Sequence, residues 1–182
     1  MSKFATLLVK NLTTPLNEGP QTGTSPLGAP PSASLGERFY DPTAVKSYQY
    51  VKFTAGTGSV ATANGAVAYW LGNPANFTVT SKLANAGATT AANNQNFVAG
   101  IFLGVVTTGN FTVIQTGGIH SAVIDTTAAD KQGAAIIASA TTDGEAVGVA
   151  AGTAPTNRVI GWATADQGSG TIAVNIALDR DL

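Results

Sequence analysis

The chain has 182 residues, with nine Lys or Arg, ten Asp or Glu, no Cys and a formal net charge of −1. Charged side chains make up 10% of it, against roughly 25% in ordinary soluble domains. That balance excludes the basic footprint that nucleic acid or an anionic membrane surface requires. The lack of cysteine excludes disulfides, thiolate metal sites and a cysteine nucleophile.

The length suits one domain, or one domain with an arm. Charge is unevenly spread: from Phe53 to Ile124 the only charged residue is Lys82. No apolar run reaches the length of a membrane span. Glycine, alanine and threonine are abundant and 44% of the chain is hydrophobic. Disorder runs instead to high charge and low hydrophobicity. The composition fits a β-protein with a small, uncharged outer surface, which is prone to associate because little self-repulsion opposes contact.

In chain order, the first feature is the apolar segment "FATLLV" (4–9), closed by Lys10. It is shorter than the apolar core of a signal peptide and has no small-residue cleavage site after it. The expectation is a protein made and kept in a cytoplasm. Residues 13–37 then hold five of the eight prolines with no apolar periodicity, an extended, polyproline-like composition. Two readings are open: a plain linker, or an arm draped over a partner and anchored by Phe4, Leu7 and Leu8. The chain therefore divides into an extended Pro/Gly-rich arm (1–45) and a β-domain (46–182).

Where arm meets domain, "ERFYDP" and "SYQYVKF" cluster Phe39, Tyr40, Tyr48, Tyr50 and Phe53. These are either the edge of a core or a subunit contact, since aromatic residues are enriched at interface cores. Beyond Tyr48 the pattern is strands. "SVATANGAVAYW" puts Asn64-Gly65 between two β-compatible runs, a hairpin signal. "FTVT" (77–80) alternates. The alanine-rich stretch 83–96 carries a glycine and paired asparagines and reads as a loop. "NFVAGIFLGVV" and "NFTVIQTGG" pair across a turn at Gly109-Asn110, and Gly117-Gly118 makes a second bend. On the second of these strands Phe111 and Val113 point inward, while Thr112, Ile114 and Thr116 face a subunit or partner. "HSAVIDTT" and "KQGAAIIAS" are further strands, the latter running to a turn at Asp143-Gly144. "TIAVNIAL" sets Ile172, Val174, Ile176 and Leu178 on the core face and Asn175 outward. Trp70 and Trp162 lie in strand patterns and are expected in the core. No window has helical spacing with caps. The prediction is a mainly β fold, a compact antiparallel barrel or sandwich with an extended N-terminal arm.

Residues able to do chemistry are few. His120, Ser121 and Asp125 lie along one strand, where neighbouring side chains point to opposite faces and cannot converge as a triad. Asp143 has a structural reason to sit in a turn. "GTGSVA" (56–61) lacks the third glycine and following helix of a dinucleotide fingerprint, and no Walker lysine is present. The sequence points away from an enzyme and calls for no cofactor or metal.

The order "YQYVKFTAG", "NGAVAYW", "FVAGIFLGVVTTGNFTVIQTGG", "ADKQGAAI", "NRVIGWATAD" and "TIAVNIAL" resembles that of the capsid decoration, or cement, proteins of tailed bacteriophages, over roughly residues 48–182. The resemblance implies a β-domain on the outer face of the virion shell, a homotrimer, and an arm laid along the major capsid protein. Partner-binding residues are then expected among Phe4, Leu7, Leu8, Phe39, Tyr40, Thr112 and Thr116, with no nucleic acid or membrane involved. The alternatives are a virion fibre or receptor-binding module, and a carbohydrate-binding β-module with an exposed tryptophan platform.

Overall fold

The longest β-compatible run, "FTVIQTGGIHSAVI", forms a single strand of 14 residues, and the rest of the sheet is built around it. The structure is a computed structural model that describes residues 34–55, 61–83, 97–124, 131–155, 157–166 and 170–178. Ten strands occur among these residues. They are β1 (Arg38–Asp41), β2 (Lys46–Phe53), β3 (Asn64–Trp70), β4 (Thr78–Thr80), β5 (Val98–Leu103), β6 (Phe111–Ile124), β7 (Ala135–Ala138), β8 (Ala146–Gly148), β9 (Val159–Ala163) and β10 (Gly170–Ala177). The fold is mainly β, as the sequence predicts.

All ten strands join one sheet in the order β1-β2-β4-β3-β5-β6-β10-β9-β7-β8, with additional pairings β2–β6 and β6–β8. Those additional pairings close the sheet on β6 twice. The first circuit runs β2-β4-β3-β5-β6 and the second β6-β10-β9-β7-β8. The sheet is mixed rather than purely antiparallel, because β2–β4 and β6–β8 are parallel pairs. Each circuit needs one parallel contact to close, a feature that local alternation does not encode.

The two halves of β6 serve different circuits. From Phe111 to Gly117 it pairs with β2, and from Gly117 to Ile124 it pairs with β10. Gly117 is thus opposite both Ser47 and Ala177. Next to it Gly118 has φ +82°, and a Cβ there would run into the Val45 carbonyl oxygen. Only glycine fits this handover. The register on β2 also slips between Ser47 and Tyr48, the bulge expected where a strand changes sheet. The predicted bend at Gly117-Gly118 is therefore a kink inside one strand, not a break between two.

Three cores result. Val51, Phe53, Ala68, Trp70, Val79, Phe102 and Ile114 fill the first circuit. The opposite faces of β3 and β5, carrying Val67, Tyr69, Val98 and Ile101, pack with Ile136, Ile160, Ile172, Val174 and Ile176 of the second. Phe39, Tyr48, Tyr50 and Val113 form a third, smaller cluster beneath β1. Strands β3 and β5 are buried on both faces, which explains their continuous apolar sequences.

The predicted turns fare unequally. Gly109 has φ +86° and sits in the β5–β6 connection as expected. Asp143-Gly144 joins the antiparallel pair β7–β8. It also ties the circuits together, for Leu83 N–H donates to Asp143 Oδ1 (2.9 Å) and Val67 N–H to the Gly144 carbonyl (2.8 Å). Asn64-Gly65 is a turn, closed by Ala66 N–H to the Ala63 carbonyl (3.1 Å), but not a hairpin. Its two residues begin β3, whose partners are β4 and β5. The sheet also begins before residue 46, because β1 pairs with β2 from Arg38↔Gln49 to Asp41↔Lys46. Residues 1–33 of the proposed arm, with residues 84–96, lie outside the described residues.

Candidate interface

Of the residues expected to meet a partner, Phe4, Leu7 and Leu8 lie outside the described residues. Phe39 is buried with Tyr48 and Tyr50, whereas its neighbour Tyr40 is exposed. Thr112 and Thr116 require a correction. They are only 1% and 3% exposed, and Ile114 is fully buried. Thr112 stands opposite Val51 and Ile114 opposite Phe102, so this face of β6 belongs to the first circuit's interior. Val113 lies on the other side, beneath β1. Val113 is buried as expected, and the face expected to point outward is buried as well. An alternation argument needs one wet face, and this part of β6 has none.

Correct alternation is found at β10. Ile172, Val174, Ile176 and Leu178 are buried and Asn175 is exposed. Register then extends the outward face across neighbouring strands. Asn175 is opposite Ile119 on β6 and Trp162 on β9, and Trp162 is opposite Ala135 on β7. Val149, just past β8, donates its N–H to the Ala135 carbonyl (2.8 Å). The result is a row Val149–Ala135–Trp162–Asn175–Ile119 across the second circuit. Ile119 is 56% and Trp162 44% exposed.

The exposure of Trp162 corrects its expected core position, while Trp70 is buried as predicted. The bulk of an indole argues for burial, but register overrides it. Beside Trp162, Gly161 faces inward, and a Cβ there would overlap the Asn175 carbonyl oxygen and lie 2.8 Å from its carbon. The backbones of β9 and β10 are therefore pressed together at this point, and alternation along β9 puts the next side chain, the Trp162 indole, on the outer face with Asn175.

Titratable groups do not gather here. His120 and Ser121 occupy opposite faces of β6. His120 Nε2 is 3.0 Å from Asn64 Oδ1. Burial, aided by the Lys46 charge, lowers its pKa to about 4, so it is neutral at pH 7. Asp166 accepts from Gln132 N–H (2.8 Å) and pairs with Lys131 (3.3 Å) on the surface. These contacts hold its carboxyl below the usual range. Burial raises the Tyr69 hydroxyl pKa, and the nearby Gly144 amide offsets this only in part. That amide makes no well-formed hydrogen bond to the hydroxyl. Among the described residues no three His, Cys, Asp or Glu side chains come together as a metal site would require.

No protein-family model matches the chain, and no curated protein is similar to it. Among solved structures, it is similar to the N base of the head fiber protein gp8.5 of bacteriophage phi29. The two are 17% identical, with a TM-score of 0.42, over 71% of this chain and 92% of that one.

Proposed function

We propose that this chain is a structural protein of a tailed-phage virion, a decoration protein that binds the outer face of the capsid shell and stabilises it. The observation that carries the reading is the ordered series of motifs from "YQYVKFTAG" to "TIAVNIAL". Physically, such a protein works by burying surface across joints between shell subunits, so that internal pressure must break additional contacts. No residue need react. An extended arm adds main-chain hydrogen bonds to a neighbour's sheet edge. Association as a homotrimer multiplies weak attachments through effective concentration. Major capsid protein is the proposed partner, and the outer virion surface the proposed location.

Quantitative mass spectrometry of purified particles tests this. The reading expects the chain at a fixed ratio to the major capsid protein. Its absence from particles, with the protein free in the lysate, contradicts the reading.

One observation favours a second reading. Trp162 is exposed beside Asn175, an indole face next to a carboxamide, which suits a sugar ring. Titration with oligosaccharides while following tryptophan emission distinguishes the two. A saturable change in emission favours a carbohydrate-binding module.

A further inference from the structure

Strands that cover a core on one side normally show water a polar face on the other. The outward face of the second circuit is uncharged and mixed, with exposed Ile119 and Trp162 set among the polar Asn175, Ser121 and Thr171. Its outward row reads Val149, Ala135, Trp162, Asn175, Ile119, and the flanking outward positions include Val147 on β8 and Ala173 and Ala177 on β10. None of these is charged. Exposed apolar side chains grouped on an uncharged face mark contact surfaces.

From this face, and resting on the functional reading above, we infer that the second circuit seats on the capsid shell through the row centred on Trp162, Asn175 and Ile119. The shell surface it meets is itself uncharged and apolar. Charge decides the chemistry of the partner. A phosphate, an acidic peptide or a lysine-rich surface buried here would lose its hydration and find no opposite charge among the described residues of this row.

Area decides against a second copy of the chain as occupant. Because the second circuit closes on itself, a flat partner meets about three neighbouring strands, β9, β10 and β6, which span ~10 Å, and some six residues along them span about 20 Å. Pairing two such faces removes roughly 400 Å² in total, well short of the ~1,200 Å² of a stable stand-alone pair. A face of this size suffices when further contacts hold the same molecule to a large lattice.

The test uses full-length protein and shells of the same phage that lack it. Ile119→Lys and Trp162→Lys are combined in one variant, with Val105→Lys, also exposed, as the control. The inference expects the double variant to melt within a few degrees of wild type and to bind shells at least tenfold more weakly. The control should bind within twofold. If the lysine pair prevents folding, Ile119→Ser with Trp162→Ser takes its place under the same criteria. Wild-type binding that the double variant retains overturns the inference and leaves the functional reading standing. Wild type that binds no shell overturns that reading itself. Concentration-dependent self-association in light scattering, abolished by the double variant, makes this face a contact between copies and overturns the inference.

Discussion

Gln115 Nε2 donates to the Gly117 carbonyl at 2.9 Å, and the same nitrogen lies 3.2 Å and 3.3 Å from the carbonyls of Gly118 and Ile119. The side chain is fully buried. The two hydrogens of one carboxamide are thus shared among three successive carbonyls at the handover in β6. Gln115→Leu removes the donor and leaves those oxygens buried, at a cost of about 1–3 kcal/mol. Gln115→Glu places a carboxylate against them. Its folded pKa is then raised above the ordinary ~4.3, so the loss of stability grows as pH rises. Urea unfolding at pH 7 and pH 4.5 should show Glu worse than Leu at the higher pH, with the gap narrowing at the lower.

Gly161 tests the close approach of β9 to β10. Gly161→Ala drives a methyl into the Asn175 backbone, which cannot yield as a flexible side chain would. The expected loss is about 2–3 kcal/mol or more. At Gly109 an added Cβ meets open space and Gly109→Ala carries only the positive-φ cost of about 1 kcal/mol. Equal midpoints for the two variants in chemical denaturation would show that the β9–β10 contact is slack.

The register of β10 is tested by moving one charge by one residue. Val174→Asp buries an unpaired carboxylate, at a cost of several kcal/mol against a total stability of ~5–15 kcal/mol. Asn175→Asp should stay within about 0.5 kcal/mol. Thermal melts of the two should differ widely, and similar melts contradict the register.

His120 gives the fold a pH dependence of known sign. Its folded pKa of about 4 lies below the ordinary ~6.5 of the unfolded chain. Between those values the unfolded state binds the proton more readily, so stability falls as pH drops from about 6.5 towards 4. Partial solvent access to the ring limits the size of the effect. His120→Gln should flatten the dependence of Tm on pH within that window.

How much of this was legible in the sequence depends on how many wet faces a strand has. β10 has one, and its alternation gave both the core positions and Asn175 correctly. β6 has two dry faces in its first half, so the same rule put Thr112 and Thr116 on the wrong side. Trp162 could have been placed from the hairpin register, because it pairs with Asn175 and must share its outward face. Indole size was the weaker guide. Asn64-Gly65 shows that a turn signal does not specify what the turn connects. The double closure on β6 rests on single parallel contacts between distant segments, which no local pattern marks.

Particle stability tests whether the chain holds a virion shell together, as proposed. Shells lacking the protein are heated with and without a saturating amount of it, and the temperature of genome release is recorded. Binding should saturate at a fixed ratio to the major capsid protein, with a clear rise in release temperature. An unchanged release temperature at full occupancy, or no binding at all, contradicts the proposal.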